Sequence, residues 1–444
     1  MKTQLAGPGN PCAKLGCVQP PEVLVPTPLD QVRYAPEKEL IDRLVERFGL
    51  GALLQNLEST QQTSVYEFVL GTQLRLTPLI APRLTSLLAE VRARLALEEP
   101  VDLFVHADAE VNAFALHAPA EGMPHVVSLT SSLVERMDDD ELRFVIGHEL
   151  GHVHYDHYRA RLLHKAFGGD AENEPSKMPL LLRRRLEVWD RLAELSADRA
   201  GFAAVEGRLE PIVSVFYKMA SGLGPEHLSF DVGAFLAQLA DLQRLKRREL
   251  LARFSHPITP VRVRALQLYG EAGGAGASPE RLREVDRAVD ELARLMDFEV
   301  TDDLDVPPRD FLVAGGLLAG LADDQGMDQE EYDSLIELLV PASSHPEALV
   351  AKVETPEQAK RMLDASIAWL RENGGPAVFD LFGKLAHLVS LDGRLLGHEE
   401  AFLMQVAEAL GIPAKQANQA LYSVLTNYVK AAPQTPSWFA APRG

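Results

Sequence analysis

Cysteine is almost missing from this 444-residue chain: only Cys12 and Cys17 occur, both close to the start. No disulfide framework can therefore hold the core, which fits a reducing compartment. As a close pair in a Pro-rich stretch they read as idle thiols ahead of a bridge or a metal pair. Long apolar runs are missing too. The longest small-and-apolar stretch, Phe311 to Ala322, falls far short of the ~20 residues a bilayer needs. The opening Met1 to Asn10 has no apolar segment of the kind that directs secretion, and Lys14-Leu-Gly-Cys17 only faintly echoes a lipoprotein cleavage box. A cytoplasmic protein without a transmembrane segment is the expectation. Basic charge is also in deficit, with 44 Lys and Arg against 64 Asp and Glu, a net charge of −20. That argues against nucleic acid and anionic membranes as partners and favours solubility. The remaining composition, 46% hydrophobic and 24% charged, is that of an ordinary globular protein with room for two or three domains.

Against these absences one stretch stands out, Phe144 to Val153, which contains His148-Glu149-Leu-Gly-His152. In a helix, residues four apart share a face, so His148 and His152 can hold one metal ion, and neutral imidazole suits Zn²⁺. Glu149 can lean over the open position, take a proton from a water activated there and hand it to a leaving amine. The acidic Met137-Asp-Asp-Asp-Glu141 ahead of it suits a helix start. Phe144, Val145, Leu150 and Val153 supply an apolar face. Gly147 and Gly151 are poor helix formers, and their small size lets a second backbone or the metal's surroundings come close.

A catalytic zinc needs a third protein ligand. The helical run Trp189 to Gly201 offers Glu194, with Asp198 four residues on, on the same face. A carboxylate at Asp198 can accept the free ring N–H of a ligand histidine and fix its tautomer. Alone, Glu194 reads as a solvated helix residue; paired with the upstream motif it reads as a ligand. His154, His157 and His164 read as polar helix residues, since three ligands are already at hand.

Residues 1–36 are rich in proline and predict an extended lead-in, either a plain tail or a segment lying across the site. Helices are expected over about 37–57 and 77–98, and strands at Val101–His106, Val111–His117 and Pro124–Leu129. Phe167 to Met178 is a polar loop, a lid or an inert surface segment. A mostly helical stretch from Pro211 to Leu268 leads to a Gly- and Ala-rich linker at 271–279.

Four blocks, in order, resemble the HtpX/CAAX-prenyl-protease family of zinc metallopeptidases: Asn112 to Leu116, His148 to His152, Glu194 to Asp198, and Ser255 to Leu266. The resemblance covers roughly residues 75–270. It implies one zinc ion per chain held by His148, His152 and Glu194, with Glu149 as general base and Asp198 behind the ligands. It further implies that His256 stabilises the oxyanion or holds substrate with help from Arg262, although Ile258 stands where the family usually has a second proline. Asn112 and Ala113 fall where the family contacts substrate, by main-chain pairing of an extended peptide with a sheet edge; simple inward alternation of Val111, Ala113 and Ala115 is the other reading. The family's best-known members are membrane-embedded, so this chain looks like a soluble branch.

The expected fold is α+β and mostly helical: a zincin-like domain with a small sheet over 37–270, then an all-α domain over 280–432 and a tail at 433–444. In that second domain Leu321 to Glu331 and Ser390 to Glu400 resemble one another, and the latter resembles the TerB-like helical domain. Asp323, Asp328, Asp392 and the paired glutamates read as helix caps ahead of cation ligands, because neither stretch has EF-hand spacing. The function expected is a zinc endopeptidase acting on protein or peptide, with a helical module that docks a partner or regulates access. The alternative is a non-proteolytic scaffold, or a stress- or defence-associated binder acting through the TerB-like module.

Overall fold

The structure, a computed structural model, describes residues 27–120, 122–167, 178–229, 231–244, 256–322, 327–391, 395 and 397–431. Helices α1 (Ala35–Arg47) and α2 (Gly51–Thr72) lead into strand β1 (Leu74–Leu76) and helix α3 (Pro82–Arg94). Strands β2 (Val101–His106), β3 (Ala113–Leu116) and β4 (His125–Thr130) follow. The four strands form one mixed sheet in the order β1-β2-β4-β3, with β2 parallel to β4 and the outer pairs antiparallel. All six β4 residues are buried, whereas among the described residues β3 pairs only with β4 and is an edge. Three strand positions read from alternation are present. The short β1 carries only three residues and is not legible as a strand.

Helix α4 (Ser131–Arg136) is capped by Thr130, whose side chain accepts from the Leu133 N–H. It hands over to α5 (Asp139–His154), which opens on a capping box: Asp138 accepts from the Glu141 N–H while the Glu141 carboxylate accepts from the Asp138 N–H. Asp139, Asp140 and Glu141 complement the helix dipole in that first turn. Helices α6 (Tyr158–Ala166), α7 (Leu180–Ala204), α8 (Leu209–Ser221), α9 (Val232–Arg244) and α10 (Thr259–Glu271) complete the layer that buries α5 against the sheet.

Helices α5 and α7 touch almost backbone to backbone. A Cβ added at Gly147 would meet Ala204 Cβ at 2.5 Å, and one at Gly151 would meet Ala200 Cβ at 2.8 Å. On the α7 side, a Cβ at Gly201 would run into the Phe144 ring at 2.6 Å. The two poor helix formers in the motif are thus a steric requirement, because only hydrogen at Cα leaves room for the partner helix.

Two expectations about boundaries change. Leu29, Val32 and Tyr34, inside the predicted extended lead-in, are buried in the main core. The Tyr34 N–H donates to Ser196 Oγ, and Leu29 O accepts from the Tyr155 hydroxyl. These residues carry apolar side chains and hydrogen-bond partners that a proline count does not register. Residues 1–26 lie outside the described ones. At the other boundary, helix α11 (Pro279–Ala293) follows the 271–279 stretch and buries Val285 and Val289 in the same first core, so that core runs beyond the linker.

A second core is built from α12 (Val306–Ala322), α13 (Gln329–Leu339), α14 (Pro346–Ala351), α15 (Pro356–Asn373), α16 (Ala377–Val389), α17 (Gly397–Leu410) and α18 (Ala414–Ala431). Asp328 caps α13 in a capping box with Glu331, as the capping reading has it; Asp323 and Asp392 lie outside the described residues. The two cores meet where Leu181 of α7 joins the second one, with Arg185 paired to Glu347 and Arg47 to Asp333. Among the described residues no helix is long and apolar enough to cross a membrane.

Replacing Gly147 by valine is expected to destabilise the protein by about 1–3 kcal/mol or more through overpacking between α5 and α7. Urea denaturation of the variant checks this, and an unchanged midpoint would contradict the close approach.

Candidate metal centre

His148 and His152 sit one turn apart on α5, and Glu194 reaches them from α7. The His148 and His152 Nε2 atoms are 3.1 Å apart. Glu194 Oε2 is 3.5 Å from the first and Oε1 is 3.3 Å from the second. A tetrahedral zinc with ligand bonds of about 2.0–2.1 Å has ligand–ligand edges of about 3.3–3.4 Å, so the three groups fit such an ion closely.

The outer ring nitrogens add a second argument. His148 Nδ1 lies 3.1 Å from Asp198 Oδ1, an ion-pair distance without the alignment of a good hydrogen bond. His152 Nδ1 lies 2.8 Å from His157 Nδ1. With Nδ1 of both motif histidines turned to an acceptor, their Nε2 lone pairs face one another. In those tautomers two Nε2 lone pairs lie beside the Glu194 carboxylate, a donor set suited to a divalent cation.

The carboxylates are held in the charged state. Burial pushes the pKa of Glu194 up, but Arg262, His152 and hydrogen bonds outweigh it and hold the group well below the usual range. Asp198, fully buried, is likewise lowered: Arg262 and His148 overcome the burial penalty. Glu149 differs. Burial raises its pKa, offset only in part by the neighbouring histidines, so its carboxylate is a stronger base than one in water. It lines a cleft of about 540 Å³ shared with all three candidate ligands.

The remaining expected site residues divide. His256, with a largely exposed side chain, lines the cleft, and its Nδ1 stands 3.0 Å from Glu194 Oε1. Arg262 also borders the cleft, but its guanidinium donates to both Asp198 oxygens at 2.8 and 2.6 Å and stands 3.2 Å from Glu194. Its other face stacks on Phe216 at 4.7 Å. Expected to help His256 at the oxyanion or the substrate, Arg262 is bonded to Asp198 and stands beside Glu194, charged partners suited to its planar fork. Asn112 and Ala113 lie on the cleft wall. The Asn112 side chain accepts from the Ala113 N–H at 2.8 Å, and its carbonyl accepts from the Thr130 N–H. Antiparallel alternation then turns the Ala113 carbonyl and both main-chain groups of Ala115 away from β4.

His157 is the residue the sequence misjudges. Expected as a polar helix residue, it lies beyond the end of α5 with its side chain buried. Asp156 adopts a left-handed conformation, φ 57°; its N–H donates to Val153 O, and the His157 N–H donates to His152 O. This Schellman turn, with Asp in place of the usual Gly, folds the chain back so that His157 meets His152 from behind. Beyond it lies Glu37 of α1, fully buried, with Oε1 3.8 Å from His157 Nε2. Glu37 accepts from Arg33, from Trp189 Nε1 at 2.7 Å and from Ser196 Oγ at 3.0 Å. Burial alone would raise its pKa, but the Arg33 bonds and His157 hold it down at about 2. Nothing near Glu37 in sequence announces this, because its partners other than Arg33 lie more than a hundred residues away.

Because the folded-state pKa of Glu37 is depressed, the stability it contributes is complete above its ordinary value of 4.5 and is lost as pH falls towards about 2. Glu37→Gln is expected to flatten the acid limb of the stability profile over that window, measured by thermal unfolding. His157→Ala is expected to weaken zinc binding by about 10–100-fold while leaving helical content unchanged, measured by competition with a chromogenic chelator.

Comparison with known proteins follows the same line. Residues 78–171, from α3 through the two motif histidines, match the model of Peptidase family M48. Plastoglobule-localized metallopeptidase 48, chloroplastic, of Arabidopsis thaliana is 28% identical over 224 residues. That match takes in 48% of this chain and 64% of the relative's own length. No solved structure matches the chain. Together the two likenesses support a relationship of this chain to the metallopeptidases of family M48.

Proposed function

We infer that this chain is a zinc-dependent endopeptidase of the HtpX/CAAX-protease-like group, with His148, His152 and Glu194 as the metal ligands. The observation that carries the reading is the convergence of two imidazole Nε2 atoms and one ionised carboxylate beside a buried glutamate on a cleft wall. A zinc ion in that position supplies Lewis-acid polarisation of the scissile carbonyl and lowers the pKa of water towards neutrality.

The protein's own groups do the rest. Glu149 accepts the proton of the attacking water and delivers it to the amide nitrogen as the C–N bond breaks. Asp198 and the Glu37–His157 pair hold His148 and His152 in the tautomers that present Nε2. Arg262 acts as a positioning residue, keeping Glu194 and Asp198 ionised in a buried site. His256, hydrogen-bonded to Glu194 and open to the cleft, is the group within reach of a carbonyl oxygen on that side. The edge strand β3 holds an extended substrate by main-chain pairing at Ala113 and Ala115, which favours protein or peptide substrates largely regardless of sequence. The helical unit built on α12–α18, of TerB-like character, serves as a docking or regulatory module; its own core and its ion pairs to α1 and α7 support that reading.

Wild type is expected to generate new internal termini in a complex peptide mixture, mapped by mass spectrometry. Glu149→Ala should reduce this by about 10²–10⁴-fold while still binding zinc. A strong chelator should abolish the activity and added zinc restore it. Equal cleavage by wild type and variant would place the activity outside this site.

A further inference from the structure

Asp156 stands where glycine is the ordinary choice. Its φ of 57° is left-handed, a conformation that a side chain disfavours and that glycine adopts freely. Asp tolerates it better than most residues, which explains why Asp is permitted there and not what it adds. The surroundings of its carboxylate supply the rest. Oδ1 lies 3.4 Å from His117 Nε2, and Oδ2 lies 3.0 Å from the Arg159 guanidinium. Burial pushes its pKa up, but His117 and Arg159 outweigh that and hold the group lowered and charged.

The groups on either side of that carboxylate belong to different parts of the cleft. His117 directly follows Leu116, the last residue of β3. Its ring meets Tyr158 at 4.7 Å and His125 at 4.6 Å, and His125 Nδ1 accepts from the Ala118 N–H at 3.0 Å. His125 opens β4, so these contacts fasten the end of β3 to its neighbouring strand. In the other direction the residue after Asp156 is His157. The His157 N–H donates to His152 O, and its Nδ1 lies 2.8 Å from His152 Nδ1. One side chain thus spans from the strand edge to the turn behind a candidate metal ligand.

We propose that Asp156 is a positioning residue: its carboxylate, bridging His117 and Arg159, locks the end of β3 to the turn that carries His157, so that the strand edge and the histidine pair form one rigid corner. What the corner positions rests on the metal-centre reading; the corner itself rests on the contacts above. A residue needed only to make the turn can be replaced by glycine without loss, because glycine makes the same turn with less strain. A residue that also bridges cannot, because glycine leaves His117 and Arg159 without the group between them. Asparagine separates the two cases. It accepts the left-handed conformation and keeps an oxygen that can face His117.

The test uses the full chain with Asp156→Gly, Asp156→Asn, His117→Ala and the Asp156→Gly/His117→Ala double variant. Zinc affinity is read by competition with a chromogenic chelator, and amide hydrogen exchange of the metal-free proteins by mass spectrometry. Asp156→Gly and His117→Ala are each expected to weaken zinc binding by about three- to tenfold, less than the loss of a group that touches a ligand. The double variant should bind no more weakly than the weaker single one, since both remove the same contact. Asp156→Asn should recover most of the loss. In metal-free Asp156→Gly protein, exchange should quicken together in peptides covering 113–118 and 152–158. Three outcomes would overturn the proposal: a zinc-binding wild type whose affinity Asp156→Gly leaves unchanged, losses that simply add in the double variant, or faster exchange confined to 152–158. Joint loss of protection in both segments, with no zinc binding by wild type, would uphold the corner and sink the metal-centre reading instead.

Discussion

Everything at the candidate site depends on how closely α5 and α7 approach. At Gly147, Gly151 and Gly201 the two helices meet with hydrogen where other helix pairs place side chains. Ordinary helix pairs lie 8–10 Å apart, with interdigitated side chains setting the spacing. Here the small residues bring Glu194 to within 3.5 Å of both motif imidazoles. A single methylene of separation would leave the carboxylate short of a shared ion. The glycines weaken α5 as an isolated helix, and the tertiary contact they permit restores what they lose.

A second constraint follows from burial. Glu149, Glu194, Asp198 and Glu37 are all buried, and four carboxylates so near one another cannot all be ionised without compensation. Arg262 and Arg33 provide it, one on each side of the histidine pair. Glu149 is the exception: among the described residues no cation is bonded to it, and burial raises its pKa. The same interior thus contains carboxylates held anionic by arginines and one whose affinity for a proton is raised.

How much of this was legible in the sequence follows from the range of each interaction. His148, Glu149 and His152 are fixed by spacing on one helix, and Glu194 with Asp198 by spacing on another, so helical periodicity sufficed. The strands β2, β3 and β4 were legible from alternation, and Asp328 from its place ahead of paired glutamates. Arg262 was legible as a site residue but its bonds to Asp198 were not, since a motif does not say which way a long side chain turns. Glu37 and His157 were beyond reach. The first is tied to Trp189 and Ser196 across the fold, and the second depends on a left-handed Asp156 that ends the helix after His154. The lead-in was misread because proline content outweighed Leu29, Val32 and Tyr34, whose partners are also distant.

The short path from α1 to the histidine pair has a thermodynamic corollary. Glu37 stands on the helix that ends at Arg47, which is bonded to Asp333 of the second core, and the following Phe48 packs against that core. An ion that is held more tightly when α1 is seated must, by the same factor, make α1 seat more tightly when the ion is present. Were the histidine pair to hold an ion, its occupancy and the seating of α1 would be linked in both directions.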